Sequence, residues 1–341
     1  DPYYISAIGA LGEGSSNSLS KDTDLALAIG TKLADFTTGS WANFENPNFK
    51  LVSVNTARYD TTKHLATPVI SDAKVGLLKI SEALGDWKAP DDWYKRAIKE
   101  RDEWDAYVEK QSGPTNQEEP SYAHAVGAVY RNSDPSDIVV TAAGGLVGEV
   151  VQVWKPMQLN TFETEWGFSC MGYEISGALG IKMAKPDQDV VVFVGDGSYL
   201  LNNSDIYSSV IYDQKLIIIV CDNGGHMVIN RLQLAKGGKE YICNLRAARA
   251  TNIQFVDFEN HAKSMGANAE TVSSTSELEA AYKRAKASDK TYVISIKTHG
   301  YEWLEGTAFW ESPTLQEPIN ENNKKALDDF EAGKSKQRKG V

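Results

Sequence analysis

Two uninterrupted apolar runs, VVVFV at Val190–Val194 and LIIIVC at Leu216–Cys221, stand one helix-length apart. Each is short, rich in β-branched residues and free of the polar alternation that marks a half-solvated strand. Such a run specifies a strand buried on both faces. Parallel neighbours need a crossover of about a dozen residues or more, and the helical pattern over Ser204–Tyr212 supplies one. The fold class that follows is α/β, with open parallel sheets covered by helices on both sides.

The rest of the chain repeats that alternation. DLALAIG (Asp24–Gly30) and KLVSVN (Lys50–Asn55) predict buried strands. AKVGLLKISEAL predicts a helix with Val75, Leu78, Ile80, Ala83 and Leu84 toward the core. Charged residues, Trp and Pro dominate from Gly85 to Pro120, with a surface helix expected near Asp91–Lys110. A second βα series follows: helix Tyr122–Tyr130, strand DIVVTAA, the small-residue helix GYEISGALGIKMA, then the two founding strands. Helices at Asn260–Met265 and Glu277–Ala287 and a last strand, TYVISIK, complete it. The expected organisation is a Rossmann-like domain over 1–85, a charged helix and linker over 86–118, a second α/β domain over 119–312 and a polar tail over 313–341. The opening Asp1-Pro2-Tyr3, without Met and followed at once by a Gly-rich stretch, predicts a sequence that starts inside a domain.

Composition removes several function classes. The net charge of −11 argues against nucleic acid or an anionic membrane as the main partner. The basic cluster from Lys334 to Lys339 reads as a solvated end. Three cysteines without CxxC spacing suit a reducing, cytoplasmic setting. No apolar run approaches the roughly 18 residues of a membrane-crossing helix.

The founding strands end alike. The first runs into Gly195-Asp196-Gly197 and the second into Asp222-Asn223-Gly224-Gly225. Ligands of open α/β sheets sit at the carboxyl ends of strands, so Asp196, Asn223 and the carbonyl of Gly225 converge if the strands are neighbours. Hard oxygen donors of this kind suit Mg²⁺ rather than zinc. Gly195 and Gly197 let the backbone approach an anion, and Ser198 with the following helix start offers N–H donors. A diphosphate held through Mg²⁺ fits both ends. Gly-Asp-Gly alone is also an ordinary tight turn, and the pairing of the two strand ends separates the readings.

Gly195-Asp196-Gly197, then 25 residues (198–222), then Asn223 resembles the fingerprint of thiamin-diphosphate enzymes. WGFSCMGYEISGALG (Trp166–Gly180) is similar to the family segment that lies against the aminopyrimidine ring. The resemblance implies that Ser169 offers its carbonyl there and that Met171 wedges the cofactor into a bent shape. TAAGGLVGEVVQVW is similar to the entry strand of the cofactor domain, which implies that Gly144, Gly145 and Leu146 meet the diphosphate through backbone N–H groups. Met227, in the HMV stretch after the metal loop, is implied to face cofactor and substrate. An apolar residue at Met171 is otherwise plain core.

Within the family, ADFTTGS, ETEWGFSCMGYEISGALG, VGDGSYLLNNSDI, DNGGHMVINRLQ and GYEW resemble the branch that opens a cyclic 1,2-dione by hydrolysis in inositol catabolism. LAKGGKEYICNLRAARA and HMV depart from it. The implied substrate is a polyhydroxylated cyclic dione, trihydroxycyclohexane-1,2-dione, and the implied product 5-deoxyglucuronate. Thiamin diphosphate and Mg²⁺ are the implied cofactors, and His226 is the local candidate for proton transfer. A homodimer or homotetramer is implied, with an N-terminal pyrimidine-binding domain or chain carrying the activating glutamate. Glu163 and Glu165 lie in the wrong domain for that role. The rival readings are a 2-oxoacid decarboxylase or acetolactate-type carboligase, a nicotinamide or flavin oxidoreductase, and a non-catalytic partner chain. Against the oxidoreductase, no G-x-G-x-x-G follows a strand.

Overall fold

The computed structural model describes residues 3–165, 167–250 and 252–338. Two compact units are present, one of Asp1–Ala106 with Glu305–Val341 and one of Tyr107–Leu304. Trp166 and Lys339, singled out in the sequence, lie outside the described residues.

The first unit runs α1 (Gly14–Asp22), β1 (Leu25–Ile29), α2 (Asp35–Thr38), β2 (Lys50–Asn55), α3 (Arg58–Thr62), β3 (Thr67–Ile70) and α4 (Ala73–Leu84). The helix α5 (Asp91–Gln111) carries the boundary between the units. Its strands form one parallel sheet in the order β1-β2-β3. Ala28, Phe44, Phe49 and Leu51 make a small core there. The burial expected of the 24–30 strand and of one face of α4 does not hold. Leu25 is 51% exposed and Leu78 63%. β1 is an edge strand whose packed side carries Ala26 and Ala28, and Leu25, Leu27 and Ile29 take the alternate, open side.

The second unit runs α6 (Tyr122–Tyr130), β4 (Ile138–Thr141), α7 (Gly144–Val153), β5 (Phe162–Thr164), α8 (Tyr173–Ala184), β6 (Val190–Gly195), α9 (Asp196–Leu201) and α10 (Ser204–Ile211). It continues with β7 (Ile217–Asp222), α11 (Met227–Ala235), α12 (Phe258–Ser264), β8 (Asn268–Val272), α13 (Thr275–Ala287) and β9 (Tyr292–Lys297). Six parallel strands lie in the order β5-β4-β6-β7-β9-β8. The expected α/β class with parallel sheets is the one observed. Val190–Val194 and Leu216–Cys221 are wholly buried, as their composition requires. Their core is shared with Ile175 and Ala178 of α8 and with Tyr199 and Ile206. β5 and β8 escaped the sequence pattern because one has three residues and the other, NAETV, carries polar groups.

The units do not follow the chain-order division at 85, 118 and 312. The charged stretch after Gly85 is mostly one long helix, and the return from Glu305 rejoins the first unit. The polar tail contains α14 (Glu321–Ser335), which buries Ala326 and Phe330. Its apolar positions are too sparse to show against so many charges, yet they recur at helical spacing.

Close packing sets the tolerance of this fold. A Cβ on Gly127 of α6 would stand 2.1 Å from the carbonyl oxygen of Ser112. Gly127→Ala is expected to destabilise the chain by about 1–3 kcal/mol through overpacking against backbone, measured by urea unfolding.

Candidate active site

Strand order reverses at β4, which has β5 on one side and β6 on the other. The carboxyl ends of β4 and β6 therefore flank the crevice where open α/β sheets take ligands. β4 leads into α7, β6 into Asp196 and β7 into Asp222-Asn223, so three strand ends meet in one place.

At the first end, Gly144 opens α7 with φ +79°, and a Cβ there would touch nothing within 4 Å. The N-cap, Ala143, makes no side-chain cap. Free N–H groups of a first turn, together with the positive end of the helix dipole, favour an anion. Gly145 is half-buried against the Trp303 ring, and Leu146 is buried.

At the second end, Asp196 is buried and begins the short helix α9. One carboxylate oxygen accepts from Gly197 N–H at 2.9 Å and the other from Gly225 N–H at 2.7 Å. Burial first, and then the negative charge of Asp222, push the Asp196 pKa upward. Asp222 is held by the Gly224 N–H at 3.0 Å and by the Lys297 ammonium. At the third end, Asn223 is buried and its amide NH₂ donates to the Tyr122 hydroxyl at 2.7 Å. That bond leaves its carbonyl oxygen, Oδ1, buried without a partner. A buried carbonyl oxygen without a donor is costly, and a cation would satisfy it. Gly225 has φ +141° and packs its Cα against the Cys243 carbonyl, which fixes the loop. Among the described residues no group of three or more His, Cys, Asp or Glu could hold a metal ion. The oxygens gathered at this place are one carboxylate plus amide and backbone oxygens, a hard donor set.

The structure brings most of the sequence-derived residues together. A Cβ on Gly197 would lie 2.5 Å from the His226 ring and 3.5 Å from the Met171 methyl. His226 is exposed and caps the start of α11 with its carbonyl, which accepts from Asn230 N–H at 3.1 Å. Ser169 adopts φ +52° and its hydroxyl donates to the Ala142 carbonyl at 3.1 Å. Ser198 is buried behind Asp196. Met227 behaves differently. Its side chain is buried against Gly300, so a ligand would meet only its backbone.

Three supporting residues had no sequence signal. Tyr122 orients Asn223 from 101 positions away. Glu165 accepts from the N–H groups of Phe168 and Cys170, both at 2.9 Å, and so shapes the loop that carries Ser169. Those backbone bonds hold its pKa below the usual carboxylate range. Glu174, on α8, accepts from Ala143 and Gly172.

The sequence of the chain matches known proteins. The family model "Thiamine pyrophosphate enzyme, C-terminal TPP binding domain" matches residues 142–296, and "Thiamine pyrophosphate enzyme, central domain" matches residues 1–80. The chain belongs to the thiamine pyrophosphate enzyme family. Relatives named 3D-(3,5/4)-trihydroxycyclohexane-1,2-dione hydrolase are 31% identical in Lacticaseibacillus casei, over 97% of this chain and 55% of the relative. The Bacillus licheniformis protein of that name is 33% identical over 89% of this chain and 52% of its own length. For the Geobacillus thermodenitrificans protein the figures are 32%, 90% and 53%. The chain spans about half the length of the curated relatives it matches. In this member of the thiamine pyrophosphate enzyme family the TPP-binding match begins just after β4 and runs into β9, so the segments that follow β4, β6 and β7 fall inside it. No helix among its described residues is long and apolar enough to cross a membrane.

The helix α7 also carries a titratable group away from the crevice. Glu149 is buried, accepts from Leu304 N–H at 3.0 Å and has a second oxygen without a partner. Burial raises its pKa to about 7, against the lesser pull of Arg231. A carboxyl raised on folding contributes stability that is complete below its unfolded pKa of about 4.5 and is lost as pH rises through about 7. Glu149→Gln is therefore expected to flatten the fall in stability between about pH 5 and pH 8, and to exceed the wild type at the upper end by roughly 1–3 kcal/mol. Denaturant unfolding at the two pH values measures it.

Proposed function

We propose that this chain binds thiamin diphosphate through Mg²⁺ and takes part in hydrolytic ring opening of a polyhydroxylated cyclic 1,2-dione, trihydroxycyclohexane-1,2-dione, to 5-deoxyglucuronate. The observation that carries the reading is the buried, partnerless Oδ1 of Asn223 beside the Asp196 carboxylate, at the crevice where α7 begins. The printed names of the relatives support the substrate and the hydrolysis.

Asp196, Asn223 Oδ1 and the Gly225 carbonyl would hold the metal. The first-turn N–H groups of Gly144, Gly145 and Leu146, with the backbone at Gly195, Gly197 and Ser198, would take the diphosphate oxygens. Ser169 would meet the aminopyrimidine, and Met171, half-exposed beside Gly197, would support the bend between the rings. Thiamin diphosphate, when bound, supplies a carbon nucleophile and an electron sink for cleavage of the bond between the two carbonyl carbons. His226, whose ring lies over Gly197 and is open to solvent, would move a proton at the mouth of the crevice. The Met227 backbone would close that side. The glutamate that meets the pyrimidine would come from a pyrimidine-binding domain or chain, in a homodimer or homotetramer. A cytoplasmic setting suits the catabolic reaction.

The metal assignment has a direct test. Asp196→Ala removes the only carboxylate of the donor set and leaves the diphosphate facing Asp222 without a bridging cation. Calorimetry is expected to show thiamin diphosphate affinity falling by at least about 100-fold, near the loss of a charge-assisted ligand pair. Unchanged affinity in this variant would place the metal elsewhere.

A further inference from the structure

Glu174 is a buried carboxylate without a role in the reading above. It lies in the first turn of α8 and is 1% exposed. One oxygen accepts from Ala143 N–H at 3.3 Å, and the other from Gly172 N–H at 2.8 Å. A carboxylate in such surroundings is costly to keep unless donors meet it. An apolar side chain would fill the same volume without that cost, so the two donors need a common explanation.

They sit on two walls of one crevice. Ala143 immediately precedes the open first turn of α7. Gly172, with φ +94°, immediately follows Met171. The walls come from different parts of the chain, the end of β4 and the loop ahead of α8. Side chains elsewhere add single ties, such as Ser169 to Ala142 at 3.1 Å and Asn202 to Ser176 at 2.6 Å. Glu174 joins the two walls by two bonds through one rigid planar group.

We propose that Glu174 is a positioning residue that sets the spacing between the diphosphate end and the ring end of the crevice. This rests on the cofactor reading above. A carboxylate accepts from both backbone N–H groups at once. The amide of glutamine has the same shape but must turn an NH₂ toward one of those N–H groups, so it keeps one wall and repels the other. A ligand that spans both ends then loses its matched spacing. A ligand that fills only the diphosphate end does not.

The experiment is calorimetry on the full chain with Mg²⁺, comparing thiamin diphosphate with inorganic pyrophosphate for the wild type and Glu174→Gln. The expected result is at least a tenfold loss of thiamin diphosphate affinity, with pyrophosphate affinity within twofold of the wild type. Equal losses for both ligands would mean a general structural role, and no loss for either would mean no role; both overturn the proposal. If Glu174→Gln does not fold, Glu174→Asp keeps the charge, shortens the reach by one methylene and must show the same split between the two ligands. A wild-type chain that binds pyrophosphate but not thiamin diphosphate would overturn the cofactor reading itself and this inference with it, and that outcome is read before any variant is made.

Discussion

The parallel pairing of β6 with β7 is the constraint on which the rest depends. Val191 to Gly195 run beside Ile217 to Cys221 in strict register. Both strands are covered on both faces, so a one-residue slip would not expose an apolar side to water as it would in a half-solvated sheet. It would instead move Asp196 past Asn223 and separate the carboxylate from the amide. The register is secured by neighbours: β4 pairs with Val190–Val192 on one side, and β9 with Ile217–Asp222 on the other. A rigid, dry sheet of this kind delivers polar groups at its carboxyl edge with little freedom, which is what a site made of short side chains needs.

How much of this was legible in the sequence follows from range. Val190–Val194 and Leu216–Cys221 declare themselves because an all-apolar β-branched run has few other uses, and the polar residues just beyond them inherit positions at the sheet edge. Asp196, Asn223 and the glycines are legible for that reason. Tyr122, Glu165 and Glu174 are not. Tyr122 reaches Asn223 across 101 positions, and Glu174 reaches Ala143 across 31, so no local period connects the partners. The same limit explains the return of 305–338 to the first unit. Phe330 and Ala326 mark a packed helix face, but nothing nearby in the sequence says against which unit it packs.

The first unit shows where pattern reading overstates burial. A β-branched or leucine-rich pentapeptide such as LALAI reads as a central strand, and the structure makes it the edge of a three-stranded sheet. The alternation of its exposure, with Ala26 and Ala28 packed and Leu25, Leu27 and Ile29 open, is that of a strand with one covered face. Composition cannot distinguish the two cases when the small residues face inward and the large ones outward.

The electrostatics of the crevice decide what it can hold. Asp196, Asp222 and Glu174 are all buried, and among the described residues only Asp222 has a cationic partner, Lys297. Burial raises the pKa of both Asp196 and Glu174, which means the folded chain resists their ionisation. The open first turn of α7 nevertheless favours an anion. An anion entering beside two reluctant carboxyl groups would be repelled if they ionised, and would find no charge to bind if they stayed neutral. In the proposed reading a divalent cation would remove the conflict: it would stabilise ionised Asp196, satisfy the buried Oδ1 of Asn223 and turn the carboxylate from an obstacle into a bridge to the anion. Glu174 has no such route, because its oxygens already accept from Ala143 and Gly172. In that reading the two acids divide the work: a metal would complete one, and the other would be completed by the walls it holds in place.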